Sequence, residues 1–131
     1  MATIIRKEER DFQPNPGKID KFRLQTDAAR DKHGVQSEYL NFDIRQLDPG
    51  QYNAAYHFHR YAEELFFILT GSVTLRTPDG LEVVNDGDML FFEAGESGAH
   101  QLIIIPTRPV HTLISALISV MTSANIPIRT R

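Results

Sequence analysis

Residues 54–71 read AAYHFHRYAEELFFILTG: two histidines one residue apart, a pair of glutamates, and an apolar run that stops on glycine. The run ELFFILT (64–70) is β-prone, and it is too apolar for clean alternation, so it is expected to be buried on both faces of a sheet. In extended chain, residues two apart project from one face about 7 Å apart, so His57 and His59 can converge on one ion while Phe58 points away. RYAE (60–63) is long enough to turn the chain back, which lets the start of the returning strand face the two histidines. Adjacent Glu63 and Glu64 then point to opposite faces, so one of them joins the histidines; Glu64 is that residue and Glu63 is read as solvated. Two solvated histidines at a strand end would look the same, so the stretch alone leaves both readings open.

Outward from it, the chain is a series of short β-prone runs separated by turn signals, the pattern of an all-β sandwich or barrel. YLNFDIRQL (39–47) alternates, with Leu40, Phe42 and Ile44 on one face, and LDPG (47–50) closes it. SVTLRT follows Gly71, TPDGL (77–81) is a hairpin turn, LEVV (81–84) returns, NDGD (85–88) turns again and MLFF (89–92) is the next strand. EAGESGA is a glycine-rich loop, HQLIII (100–105) a strand, and VHTLISALISV (110–120) the last strand, its β-branched content outweighing a helical periodicity. Before this body, residues 1–37 are charged and broken by QPNPG (13–17); they are expected to form an arm with a short strand near Ile4 and Ile5. The barrel is expected over 38–121 and a tail over 122–131, with roughly eight strands and almost no helix.

The chain has no cysteine, so any metal must be held by nitrogen and oxygen. His100 opens a strand just after a glycine-rich loop, a place where a rigid scaffold presents functional side chains; it is either a fourth ligand or a histidine capping the rim. Tyr39, Arg45, Tyr52, Tyr56 and Gln101 are candidates for polar groups at a mouth. His111 reads as a strand histidine and His33 as loop.

These residues resemble the cupin superfamily. Its first motif is matched by Gly50, His57, His59, Glu64 and Gly71, with four residues between His59 and Glu64 and six between Glu64 and Gly71. GDMLFFEAGESGAHQLIII (87–105) looks like the second motif through Gly87, Asp88, Gly95 and His100, with two extra residues between Gly95 and His100. Within that superfamily the two stretches look like a bacterial branch of small single-domain cupins. The resemblance implies a double-stranded β-helix (jelly-roll) barrel and a divalent metal, Fe, Mn, Ni or Zn, held by His57, His59, Glu64 and His100. It also implies a homodimer, paired through its sheets and N-terminal arms, and a small-molecule ligand or substrate.

Such an open nitrogen and oxygen site suggests chemistry, and a metal-dependent enzyme with an oxygenase-like or lyase-like step is the first expectation. The alternatives are a non-catalytic binding or sensing cupin and an isomerase- or decarboxylase-type cupin. Period-2 alternation puts Leu102 and Ile104 on the face of His100, and Phe66 and Ile68 on the face of Glu64; they are either an apolar pocket wall or simply core. The balance of 14 basic against 17 acidic residues, a net charge of −3, argues against nucleic acid as partner. The longest apolar region, LISALISVM (113–121), is too short to span a membrane, and a cytoplasmic location is expected.

Overall fold

The computed structural model describes residues 2–14, 20–22, 25–27, 32–35, 40–105 and 115–122. Nine strands lie among the described residues: β1 (Gln13–Pro14), β2 (Gln25–Asp27), β3 (Leu40–Leu47), β4 (Glu64–Thr70), β5 (Ser72–Thr77), β6 (Gly80–Asn85), β7 (Met89–Phe92), β8 (Gln101–Ile103) and β9 (Ser115–Thr122). All pairings are antiparallel. One sheet has the order β1-β2-β3-β9-β4-β7 and the other β6-β5-β8. Among the described residues no helix is long and apolar enough to cross a membrane.

The alternation read from the sequence appears as burial. In β4, Glu64, Phe66 and Ile68 are buried, while Leu65, Phe67 and Leu69 are half-buried, so one face enters the core and the other is only partly covered. The expectation of burial on both faces is corrected to that extent. The core cluster joins Phe66 and Ile68 of β4 to Val73 and Leu75 of β5, Leu90 and Phe92 of β7, Leu102 of β8 and Ile104 just after β8. Each such side chain contributes about 1.5–3 kcal/mol by leaving water. The hairpin between β5 and β6 forms at TPDG as expected: Thr77 Oγ1 accepts the Asp79 N–H and Gly80 takes a φ of 119°.

The arm differs from expectation. Residues 4 and 5 form no strand; Ile4 is exposed, and a short 3-10 turn follows at Lys7–Glu9. Two β-branched residues ahead of a charged block have propensity but no ladder to join, and pairing decides strand formation. The arm's strand is instead β1, inside QPNPG, where Pro14 is tolerated because β1 is a sheet edge. The arm is tied to the body: Lys32 Nζ pairs with the buried Asp27 carboxylate at 3.2 Å and donates to the Glu9 carbonyl at 2.7 Å. The Tyr52 N–H donates to the Lys21 carbonyl, and the Phe22 and Tyr52 rings lie 5.7 Å apart. Of the last strand, 115–122 is seen as β9; positions 110–114, with His111, and Tyr39 lie outside the described residues.

What positions the site is the segment between β3 and β4. It runs antiparallel to residues 100–104 through Gly50 N–H to Ile104 O (2.6 Å), Asn53 N–H to Leu102 O (3.0 Å) and a reciprocal pair between His57 and His100 (3.2 and 2.9 Å). The buried Asn53 side chain completes the seam by accepting the Leu102 N–H at 2.7 Å, and Gln101 Nε2 donates to the Ala54 carbonyl at 3.0 Å.

Candidate metal centre

His57 and His59 sit in this irregular segment rather than in a regular strand; the ladder elements described there are two isolated bridges, Tyr52 with Ile103 and His57 with His100. The chain is nonetheless extended enough to preserve alternation. His57 and His59 are half-buried, whereas Phe58 between them is exposed. At the start of β4 the same rule separates exposed Glu63 from buried Glu64. His100 enters the same space from the far side of the bridge and is 1 % exposed.

The four side chains converge. Imidazole centroids are 5.0 Å apart for His57 and His59, 4.8 Å for His57 and His100, and 6.4 Å for His59 and His100. Glu64 Oε1 lies 2.7 Å from His100 Nε2 and 3.6 Å from His59 Nε2. His57, His59 and Glu64 each offer one ligand atom, all within 4.8 Å of one another. His100 stands against the carboxylate of that triplet.

Two local contacts determine which nitrogen faces the centre. His57 Nδ1 lies 2.7 Å from the Ala55 carbonyl and His100 Nδ1 lies 2.8 Å from the Gly98 carbonyl. A carbonyl can only accept, so both Nδ1 atoms carry the proton and both Nε2 atoms present a lone pair, the arrangement by which metal-binding histidines are oriented. The buried Nε2 atoms of His59 and His100 have no hydrogen-bond partner among the described residues. Their approaches to Glu64 are therefore close contacts without hydrogen-bond alignment. Buried polar atoms left so are costly, and a cation between them and the carboxylate would satisfy them together. The donor set fits a divalent ion.

His100 is further held by apolar contacts. Phe92 stacks on its ring with centroids 3.7 Å apart and planes at 15°, and Phe66 meets it edge-on at 5.5 Å. The loop before it is laced to the histidine segment. Gly95, with φ 94° and ψ −179°, a conformation open mainly to glycine, donates its N–H to the His59 carbonyl at 2.8 Å. A short 3-10 turn at Glu96–Gly98 then absorbs the extra residues of this loop and delivers His100 to its bridge with His57.

Burial is the largest cause lowering the His59 pKa below 6.5; Glu64 opposes it, and His57 and His100 reinforce it. His59 is thus neutral at pH 7 and free to ligate. Because the folded chain binds this proton less readily than the unfolded chain, the linked stability is present above pH 6.5 and lost as pH falls through the lowered value. The same proton competes with an ion. Equilibrium dialysis across pH is expected to show metal retained down to pH 6.5 and released below it; release beginning well above pH 6.5 would contradict this assignment.

An open recess of about 560 Å³ shares His57 with the centre and is otherwise lined by Tyr56, Phe58, Pro78, Glu96, Ser97 and Ala99; Tyr56 and Phe58 alternate away from the face that carries His57 and His59. The expected pocket wall is elsewhere occupied: Phe66, Ile68, Leu102 and Ile104 are at most 2 % exposed and belong to the core. Their alternation was read correctly, and of the two roles it allowed, the structure selects core packing. Of the other polar candidates, Arg45 pairs with Asp43, Tyr52 packs on Phe22, and Tyr56 carries the Arg76 guanidinium 4.2 Å from its ring centroid. His33 pairs with Glu9 at 2.7 Å. The Ala55 and Gly98 carbonyls and the Phe92 stack were not read from the sequence. The signal that could have found the first two is a shared one, a small residue two positions before each histidine.

Residues 44–115 match the family model described as Cupin domain. No curated protein sequence matches the chain. Among solved structures, the chain is similar to a sugar phosphate isomerase of the cupin superfamily from Silicibacter pomeroyi, with 17% identity, a TM-score of 0.73, and coverage of 92% of this chain and 76% of that one. It is also similar to the polyketide cyclase RemF from Streptomyces resistomycificus, with 19% identity, a TM-score of 0.71, and coverage of 98% and 84%. A predicted oxalate decarboxylase from Thermotoga maritima aligns at 17% identity and a TM-score of 0.65, covering 92% and 98%. At these identities the likeness shows the fold, a cupin double-stranded β-helix.

Proposed function

The chain belongs to the cupin family, and from that premise we propose that it is a metal-dependent enzyme acting on a small organic molecule. His57, His59, Glu64 and His100 hold one divalent ion in this reading. The observation that carries it is the pair of Nδ1 contacts to the Ala55 and Gly98 carbonyls, which leave Nε2 of each ring as the ligand atom, with His100 Nε2 2.7 Å from Glu64 Oε1 and the His57, His59 and Glu64 ligand atoms within 4.8 Å of one another. Three neutral imidazoles and one carboxylate suit Fe(II), Mn(II), Ni(II) or Zn(II). Such an ion, when bound, supplies a Lewis acid for an oxygen atom of the substrate.

The protein's own residues do the rest. His100 and Glu64 are buried and fix the inner side of the centre, while half-buried His57 and His59 leave it reachable from solvent. Tyr56 and Glu96 are among the residues that line the recess sharing His57 with the centre, and a tyrosine hydroxyl and a glutamate carboxylate are groups able to give or take a proton. That equipment favours a lyase-like or isomerase-like step, in which a proton is moved, over the oxygenase-like alternative. The activities named for the similar folds, an isomerase, a cyclase and a decarboxylase, are also small-molecule chemistry.

To test this, the protein is stripped with chelator, reloaded with each of the four ions, and incubated with a panel of small 2-hydroxy and 2-oxo acids. At least one combination is expected to turn over and to stop when chelator is added. Tight ligand retention without product for every ion would replace the enzyme reading with a binding one.

A further inference from the structure

We infer that Arg45, on the inner face of β3, receives the far end of the substrate, which therefore carries an anionic group, a carboxylate or a phosphate, about 10 Å from the ion. The inference rests on the metal-dependent reading above and adds the substrate class.

The first observation is which way Arg45 faces. Leu47 is fully buried in the core cluster with Phe66 and Ile68, and alternation along β3 sets Asp43 and Arg45 on the same side as Leu47. The register across β9 agrees independently. Phe66, Ser119 and Asp43 form one row across β4, β9 and β3, and Ile68, Leu117 and Arg45 form the next. Directly opposed residues share a face, so Asp43 and Arg45 stand on the face of the sheet that also carries Glu64. Strands β4 and β3 are two spacings apart, about 10 Å, and the Asp43 row lies about 7 Å along from the Glu64 row. Arg45 reaches back in that direction, because its Nη2 is 3.4 Å from Asp43 Oδ2.

The second observation is access. The Arg45 and Asp43 side chains are 30% and 25% exposed, although β3 is flanked on both edges at this point, by Thr26 of β2 and Leu117 of β9. Inner-face side chains in a strand paired on both edges meet solvent in the space between the sheets. That space is therefore open to water at β3, while Phe66 and Ile68 of β4 are packed in the core.

The third observation is that the charge is incompletely answered. A guanidinium offers five N–H donors, and Arg45 makes one long contact with Asp43, while its buried Nε has no hydrogen-bond partner among the described residues. An ion pair withdrawn from bulk water adds little stability. A planar fork with donors to spare is the side chain suited to a carboxylate or phosphate.

The experiment uses zinc-loaded protein, calorimetry and three probes that share a 2-hydroxy acid head. 2-Hydroxyadipate has a distal carboxylate, 3-phosphoglycerate a distal phosphate, and 2-hydroxyheptanoate an uncharged tail. At least one anionic probe is expected to bind at least about tenfold more tightly than 2-hydroxyheptanoate, as one charge-assisted contact predicts, and the better of the two identifies the anion. Arg45→Gln is expected to abolish this preference, and Arg45→Lys, which keeps the charge without the fork, to retain part of it. Circular dichroism checks that both variants fold; the ranking of the three probes by the parent protein needs neither. 2-Hydroxyheptanoate binding as tightly as both anionic probes, or an anionic preference that survives Arg45→Gln, would overturn the inference. Zinc content measured on the same samples separates the two failures. Zinc retained without an anionic preference overturns the Arg45 assignment alone, whereas a protein without stoichiometric zinc overturns the metal reading and this assignment with it.

Discussion

Replacing His100 by alanine is expected to strip the protein of its metal, with affinity falling by at least about 100-fold. That exceeds the ~10–100-fold cost of losing a residue that merely orients a ligand, because here a donor atom itself is removed. The physical reason lies in the placement of the ring. Its Nδ1–H is committed to the Gly98 carbonyl, and its Nε2 stands 2.7 Å from Glu64 Oε1, so no rotation is needed to engage an ion. The ring is also 1 % exposed and stacked on Phe92, so its removal leaves a cavity and some loss of stability. His57→Ala provides the comparison, because His57 is half-buried and its truncation costs the core little. Dialysis against zinc should show both variants losing the ion while circular dichroism shows His57→Ala folded. If His100→Ala keeps stoichiometric metal and His57→Ala does not, the ion is held by the His57, His59 and Glu64 triplet without His100.

The second large effect is expected at a residue that touches no substrate. Gly98→Ala should destabilise the fold by about 2–4 kcal/mol and weaken metal binding about 10–100-fold. A Cβ at position 98 would collide with the Glu93 carbonyl oxygen and fall 2.9 Å from its carbon. Those atoms are backbone and cannot swing aside, so the 93–99 turn must open. Space rather than conformational freedom is what requires glycine here. Opening the turn moves the Gly98 carbonyl, and with it the contact that directs the His100 ring. Ser97→Ala, one residue away and exposed, is the control and should stay within about 0.5 kcal/mol of the parent. Thermal unfolding together with zinc dialysis checks both effects; a Gly98→Ala protein as stable and as metal-avid as the parent would show that the turn does not brace His100.

These expectations mark where the sequence was legible. From Glu64 to Phe92 strand runs and turn residues agree at every step, and the strands β4 to β7 fall where alternation, TPDG and NDGD put them. Period 2 also separated Glu64 from Glu63 and set His57 and His59 on one side of Phe58, because those assignments depend only on an extended backbone. The family likeness carried His100 across some forty residues, which no local pattern could do.

Other features depend on contacts between distant backbone segments, and these leave little trace in composition. Ile4 and Ile5 have strand propensity and no strand partner among the described residues, whereas Pro14 has poor propensity and a partner in β2. The extra residues between Gly95 and His100 are accommodated by a 3-10 turn whose fit rests on the absence of one side chain at Gly98 against Glu93. The recess lined in part by His57 is assembled from three separate segments, around 56–58, at Pro78 and over 96–99, so no single run of sequence announces it. Residues that face inward by alternation were equally consistent with a pocket wall and with core, and only packing distinguishes the two.

The most direct test of the central claim is the position of the ion. Crystals of zinc-loaded protein, measured at the zinc absorption edge, are expected to give one anomalous peak bounded by three imidazole nitrogens, from His57, His59 and His100, and by a carboxylate oxygen of Glu64. A folded protein that shows no peak at this centre, or whose peak lies on other side chains, would contradict the account.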